Sequence, residues 1–302
     1  MTVSAFNPTD VPFLSEHARP LPARRLTTRR APVGTFWNLL GVLVGLVMIF
    51  PVYWVVSSSF KTGINLQRWV PQWFPSPVTF DSYFRAFAQR RFLGSLANSL
   101  IVVSATVLAS LAIGFLAALV LGRMRFRGRK ALVILVITIQ MVPIEGLIIP
   151  MYLMLHKYRL TDSAVGLTLA YLSFVLPFTV WMLRGFIAAV PVDLEEAALV
   201  DGCTRGQAFA KIILPLAAPG LVATTVFAVI QAWNEYLFAY VLLKQNSKRT
   251  ITVWLDTFIT TKGVDWGALM AASTVVALPI VVLFAIIERK VAVGITAGAV
   301  KG

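Results

Sequence analysis

Six long apolar runs divide the chain, at about 36–58, 95–121, 131–155, 163–187, 214–240 and 268–287. A helix rises ~1.5 Å per residue, so ~20 residues cross a ~30 Å hydrocarbon core. The runs have that length. The pattern predicts an all-α polytopic membrane protein with six transmembrane helices. Prolines fall inside several runs, at Pro51, Pro143, Pro150, Pro177 and Pro279. Each removes a backbone donor and crowds the preceding turn. Pro143 and Pro150 together predict an interrupted third span. The polar stretches between runs are the N-terminal 35 residues, the aromatic-rich loop 61–87, the short segment RMRFRGRK (123–130) and a charged insert at about 191–215.

Composition strengthens this reading. The chain is 58% hydrophobic and 13% charged, with mean hydropathy +0.79. Its net charge of +14 would suit nucleic acid, but the bases sit in short loops between spans, where they set topology. RMRFRGRK carries five bases in eight residues. It places the loop after the second span in the cytoplasm, and with it both termini and the insert. Arg90 and Arg91, before the second span, run against that bias. Residues 1–35, with Arg19, Arg24, Arg25, Arg29 and Arg30, read as a disordered basic cytoplasmic tail, and residues 36–302 as the permeating domain. The first run is too long for a signal-peptide core. The Trp, Phe and Pro of loop 61–87 suit the outer membrane interface. A single cysteine, Cys203, excludes an internal disulfide framework. His17 and His156 are too isolated to suggest a metal site. No G-x-x-x-x-G-K-[ST] phosphate loop and no nucleophile elbow occurs. Nothing supports an enzyme, and any ATP would be bound by another chain.

The insert DLEEAALVDGCTRGQAFAKIILP (193–215) is charged and carries its own start and stop signals. Pro191 ends the preceding span. Asp193 is a predicted N-cap, with Glu196 completing a capping box and Glu195 in the favoured first turn. Gly202 suits a left-handed C′ position, and Asp201 is placed to meet the amides of the turn. Thr204 and Gln207 predict a second capping box, opening a helix through Phe209 and Ile212 that Pro215 ends. Leu194, Ala197 and Ala198 share one face, where small side chains allow close approach. Helices this short are not stable alone. They pack on their own spans or on a partner.

The residues Glu196, Ala197 and Ala198, then Gly202 after three more, then Ile212, Leu214 and Pro215 after a further nine, resemble the cytoplasmic EAA motif of ABC-importer permeases. The flanking LPFTVWMLRGFIAAVP, LPLAAPG and AWNEYLFAY and the final AGAVKG resemble the carbohydrate-uptake branch, in particular its maltose-type second permease (MalG-like). Cys203 departs from the small residue usual there, while remaining small. The resemblance covers about 36–302. It implies a multi-pass subunit of the bacterial or archaeal cytoplasmic (inner) membrane. It implies pairing with a homologous second permease, two cytoplasmic ATPase subunits that bind ATP and Mg, and an external solute-binding protein. The EAA loop would dock on the ATPases, with Glu196 as a charge contact, and the tail 289–302 would thread against them.

Polar residues in spans mark pathways or helix contacts. The candidates are Gln140 and Glu145 in the third span, and Gln231, Trp233, Asn234 and Glu235 in the fifth. A sugar's hydroxyls would suit the amides and acids, and Trp233 is placed to stack on a sugar face. Within the same class, glycerol phosphate or a related phosphodiester is the alternative solute. From a different class, a self-sufficient secondary transporter would use Glu145 for ion coupling.

Overall fold

The computed structural model describes residues 32–299, with side chains described from 36 to 287. The predicted tail 1–35 lies almost wholly outside the described residues, as do the last three residues. The chain divides into two compact units, residues 1–50 and 51–302. The described part of the first is the apolar beginning of α1 (Pro32–Ser59).

In the second unit the end of α1 leads into an outer loop holding α2 (Gly63–Leu66) and α3 (Asp81–Ala88). Then come α4 (Phe92–Arg123), α5 (Arg129–Ile139), a 3₁₀ turn at Ile144–Leu147, α6 (Ile148–Lys157) and α7 (Ala164–Ala189). The insert follows as α8 (Val192–Val200) and α9 (Arg205–Ala208). A π-helical turn (Phe209–Ile213) leads from it into α10 (Leu214–Asn234). After α11 (Leu237–Leu242) and α12 (Ile251–Trp254), a two-residue antiparallel ribbon (β1 Ile259–Thr260, β2 Gly263–Val264) precedes α13 (Trp266–Ala299).

Five helices are long and apolar enough to cross a membrane, and the bent pair α5–α6 makes a sixth. Its two halves meet at 95° across residues 140–143. Pro143, in extended conformation (φ −59°, ψ 124°), ends the helical path there, as the sequence predicts. Pro150 sits in the first turn of α6, where it is tolerated.

Small residues determine how closely the spans pack. On α4, Ser95, Ser99, Thr106, Ser110, Gly114 and Ala118 are buried at four- and seven-residue spacing. Helix α7 packs along α4, its Thr179 meeting Gly114 in the seam between them, while Ser99 Oγ accepts from the Ile251 N–H of α12 at 2.8 Å. Lipid tails are as apolar as leucine, so close contact rather than hydrophobicity drives such pairing. A Cβ at Gly114 would stand 2.6 Å from Thr179 Cγ2. Gly114→Val should therefore lower stability by about 1–3 kcal/mol, read as a lower melting temperature in detergent.

The main cluster gathers α4, α7 and α10–α13 around Tyr171, Phe238 and Trp254. A second cluster of Ala118, Leu183, Ile187, Ile213 and Ala217 lies toward the cytoplasmic end.

Outside the spans, α3 is pinned to the start of α13. Arg85 Nε donates to Asp265 Oδ2 at 2.9 Å, and Nη2 donates to Oδ1 at 3.2 Å. Partial burial pushes the Asp265 carboxyl up, but the Arg85 hydrogen bond, the Ala268 and Gly267 amides and the Arg85 charge together hold it below its ordinary value. A depressed carboxylate stabilises the fold above its unfolded value of about 3.9, and the gain is lost as pH falls through the folded value. The pair is two-fifths exposed, so Asp265→Asn should cost about 1 kcal/mol or less at neutral pH. That difference should begin to shrink in unfolding measurements below about pH 4 and be lost only at the lower pH where the folded carboxyl itself takes up a proton.

Candidate coupling site and solute pathway

The insert is built as the sequence predicts at its turn and second start. Gly202 has φ +86°. Cys203 N–H donates to the Ala198 carbonyl at 2.9 Å, and Gly202 N–H to that of Leu199 at 3.1 Å. This is a complete Schellman ending. Two residues on, the Thr204 amide donates to Gln207 Oε1 at 2.8 Å, and the Gln207 amide to Thr204 Oγ1 at 3.3 Å. The second capping box is therefore formed.

Three details differ from the sequence expectation. The first helix begins at Val192 with Pro191 as N-cap and no side-chain cap. Extended Pro191 already turns the chain into the helix, so Asp193 falls inside the first turn and Glu196 closes no capping box. Asp201 makes no side-chain hydrogen bond among the described residues, because the amides of the turn are taken by helix carbonyls. Pro215 does not end the second helix. Arg205–Asn234 runs on as one span. The wider π turn over 209–213 relieves the clash a proline makes with the carbonyl four residues back.

These bonds fix what each residue presents. Ala198 is 7% exposed and is the buried contact of α8, while Leu194 and Ala197 on the predicted face are exposed. Phe209 packs on the cytoplasmic cluster, its ring 5.4 Å from that of Phe115. Ile213, rather than the motif residue Ile212, is the fully buried one. Leu214 and Pro215 are exposed.

Glu195 faces inward, 3.7 Å from Arg123 Nε. Arg123 also donates to the Val190 carbonyl at 2.9 Å, tying the end of α4 to the base of the insert. Glu196 points away, exposed and without a hydrogen bond or ion pair among the described residues. Leu194, Glu196, Leu199 and Val200 thus leave α8 with an exposed, mixed apolar and acidic surface.

The pathway candidates separate. Gln140 and Gln231 come together in a cleft of about 110 Å³ at the break between α5 and the 3₁₀ turn. Ser173, Phe174, Phe178 and Phe227 also line it, and the Phe178 and Phe227 rings are stacked with centroids 3.6 Å apart. Gln140 donates to its own turn, to the Val136 carbonyl at 3.3 Å. Glu145 lies exposed on the 3₁₀ turn and outside this cleft.

Trp233 is 4% exposed within the main cluster, so its indole is not free to stack on a sugar. Asn234 donates to the Ile230 carbonyl at 2.9 Å. Glu235 caps α11, its two carboxylate oxygens accepting from Phe238 N–H at 2.7 Å and Ala239 N–H at 3.2 Å. The helical path stops at Asn234 (Glu235 φ −67°, ψ 130°). The fifth span therefore ends before the acid, which serves the next helix. Ser173 and the three phenylalanines were not singled out in the sequence. In an all-apolar span no periodicity marks the face that lines a cleft.

Residues 110–293 match the family described as binding-protein-dependent transport system inner membrane component. The chain is 43% identical over 275 residues to the diacetylchitobiose uptake system permease protein DasC of Streptomyces coelicolor, covering 91% of this chain and all of that protein. It is 35% identical over 270 residues to the trehalose transport system permease protein SugB of Mycobacterium tuberculosis, covering 89% and 98%. Its fold is similar to a chain of a bacterial ABC transporter involved in the import of the acidic polysaccharide alginate, with a TM-score of 0.71 at 22% identity over 87% and 98% of the two chains. With its EAA-type insert and its interrupted third span, this chain belongs to the binding-protein-dependent transport system inner membrane component family.

Proposed function

We propose that the chain is one permease subunit of an ATP-driven sugar importer of the inner membrane. The observation that carries this reading is the insert. It is a rigidly terminated two-helix element whose inner side is fixed to the spans through Arg123, Phe209 and Ile213. Its outer side presents Glu196 beside exposed apolar residues. An element so built transmits force only if another body holds its outer side. Cytoplasmic ATPase subunits fit that role, and ATP and Mg would be bound there. The remaining partners are a homologous second permease completing the pathway and an external binding protein delivering solute. The exposed residues of the insert, Glu196, Ala197, Leu199, Val200, Asp201 and Gly202 with Leu214 and Pro215, are the proposed coupling surface, and Glu195, Ala198, Phe209 and Ile213 hold it to the spans.

Sugar is the solute class that relatives carrying diacetylchitobiose and trehalose favour. The cleft supports it chemically, because two amides beside aromatic rings suit hydroxyls and sugar faces, and no base lines it. A phosphodiester would want a cation there. Gln231→Leu should raise the half-saturation concentration for sugar uptake by about tenfold, the loss of one or two hydrogen bonds at about 1 kcal/mol each, while ATPase co-purification is unchanged. The test of the function is uptake into vesicles carrying the complete importer. Uptake should require ATP on the cytoplasmic side. Uptake by this chain alone, driven by an ion gradient, would overturn the reading.

A further inference from the structure

At the cytoplasmic end of the bundle, two guanidinium groups converge on one carbonyl. Arg129 Nε donates to the Leu121 oxygen at 2.9 Å, and Arg184 Nε donates to the same oxygen at 3.3 Å. Arg129 Nη2 also reaches the Gly122 carbonyl at 3.2 Å. Both guanidiniums border a cavity of about 820 Å³ that Arg125 and Lys130 line as well. No carboxylate lies within 4.0 Å of any of these four bases among the described residues.

Capping the last turn of α4 explains part of the arrangement, since the end of a helix attracts cations. It does not balance the charge. A helix C-terminus supplies about half a negative charge, against four cations. Each guanidinium has five donors, and most of these remain uncommitted. The rest of the lining is apolar, with Phe126 at one side and Val133 and Ile134 in the first turns of α5. One end of the cavity therefore suits an anion, and the wall leading into the membrane suits hydrocarbon.

We propose that this cavity is a binding site for an anionic phospholipid of the cytoplasmic leaflet. The phosphate would be held by Arg129 and Arg184, with Arg125 and Lys130 at the rim, and the upper acyl chains would lie along Phe126, Val133 and Ile134. Basic pockets between spans on the cytoplasmic side bind such headgroups. A bound lipid would brace the corner where α4, α5 and α7 meet, next to the Arg123–Glu195 contact that supports the insert. The site is independent of which solute is carried.

The test uses the importer purified in detergent, with phosphatidylglycerol or phosphatidylcholine added and retained lipid counted by native mass spectrometry. Phosphatidylglycerol should be retained in preference. The double variant Arg125→Gln, Lys130→Gln removes two bases whose side chains make no hydrogen bond among the described residues. It should weaken phosphatidylglycerol retention by about 25-fold, at about fivefold per base near an anionic headgroup, and leave phosphatidylcholine retention unchanged. Arg184→Gln should weaken it as well. Equal retention of the two lipids by the wild type would overturn the proposal. So would equally tight binding of soluble glycerol phosphate, which would make this a free-anion site. Loss of ATPase subunits from the double variant with phosphatidylglycerol retention intact would instead assign the bases to an acidic partner surface.

Discussion

Gly202→Pro should abolish solute uptake while the protein still inserts and its spans still pack. The position has φ +86°, and proline is fixed near −65°. The substitution also removes the N–H that donates to the Leu199 carbonyl at 3.1 Å. Together these cost about 3 kcal/mol or more locally, enough to unmake the Schellman ending. A Cβ at this position meets nothing within 4 Å, so the damage comes from the backbone and not from crowding. Gly202→Ala is the graded companion. It pays only the left-handed backbone cost, about 1–2 kcal/mol, and should leave partial uptake. The spans should survive both changes, because the seam of α4 and α7 and the cytoplasmic cluster include no residue of the turn. Membrane yield and melting temperature of the Gly202→Pro protein, set beside vesicle uptake, check this.

Glu196→Lys should separate partner binding from folding. Glu196 is exposed and without a hydrogen bond or ion pair among the described residues, and it lies beyond the first turn of α8, so its reversal should change stability by only about 0.5 kcal/mol or less. At an interface centre the same reversal removes a charge contact and installs a repulsive one. About 2 kcal/mol or more is then lost, a fall of about 30-fold in affinity for the ATPase subunits. Its neighbour gives the contrast. Glu195 sits 3.7 Å from Arg123 at the base of the insert, so Glu195→Gln should act mainly on stability. Co-purification of ATPase subunits with each variant, together with melting curves, distinguishes the two roles. Equal loss of ATPase subunits in both variants would remove the distinction drawn between the two acids.

What was legible in the sequence follows from where a single local rule dominates. Length and continuous hydropathy were enough for the spans, and Pro143 and Pro150 together pointed to the break in the third, which lies at Pro143. The turn at Gly202 and the capping box at Thr204 and Gln207 are local hydrogen-bond patterns, and they formed as written. Pro215 misled because a widened turn can absorb a proline inside a continuing helix. Pro191 displaced Asp193 because a proline in extended conformation is itself a sufficient helix entry. Trp233 and Glu235 misled for a reason specific to membranes. Lipid and protein interior are both apolar, so no periodic contrast tells which side of a span faces a cleft. The tie of Arg123 to Glu195 and the meeting of Arg129 and Arg184 at Leu121 join residues far apart along the chain, and neither has a local pattern.

The central claim is that the acidic insert is held from the cytoplasm by a separate nucleotide-hydrolysing subunit. Cys203 is the sole cysteine, so Cys203→Ala provides a clean background for Glu196→Cys and site-directed crosslinking in intact cells. The account predicts a crosslink from position 196 to an ATPase subunit, with yield that changes when nucleotide is trapped. A position 196 that reacts with a membrane-impermeant thiol reagent added outside the cell, and that crosslinks to no ATPase, would contradict it.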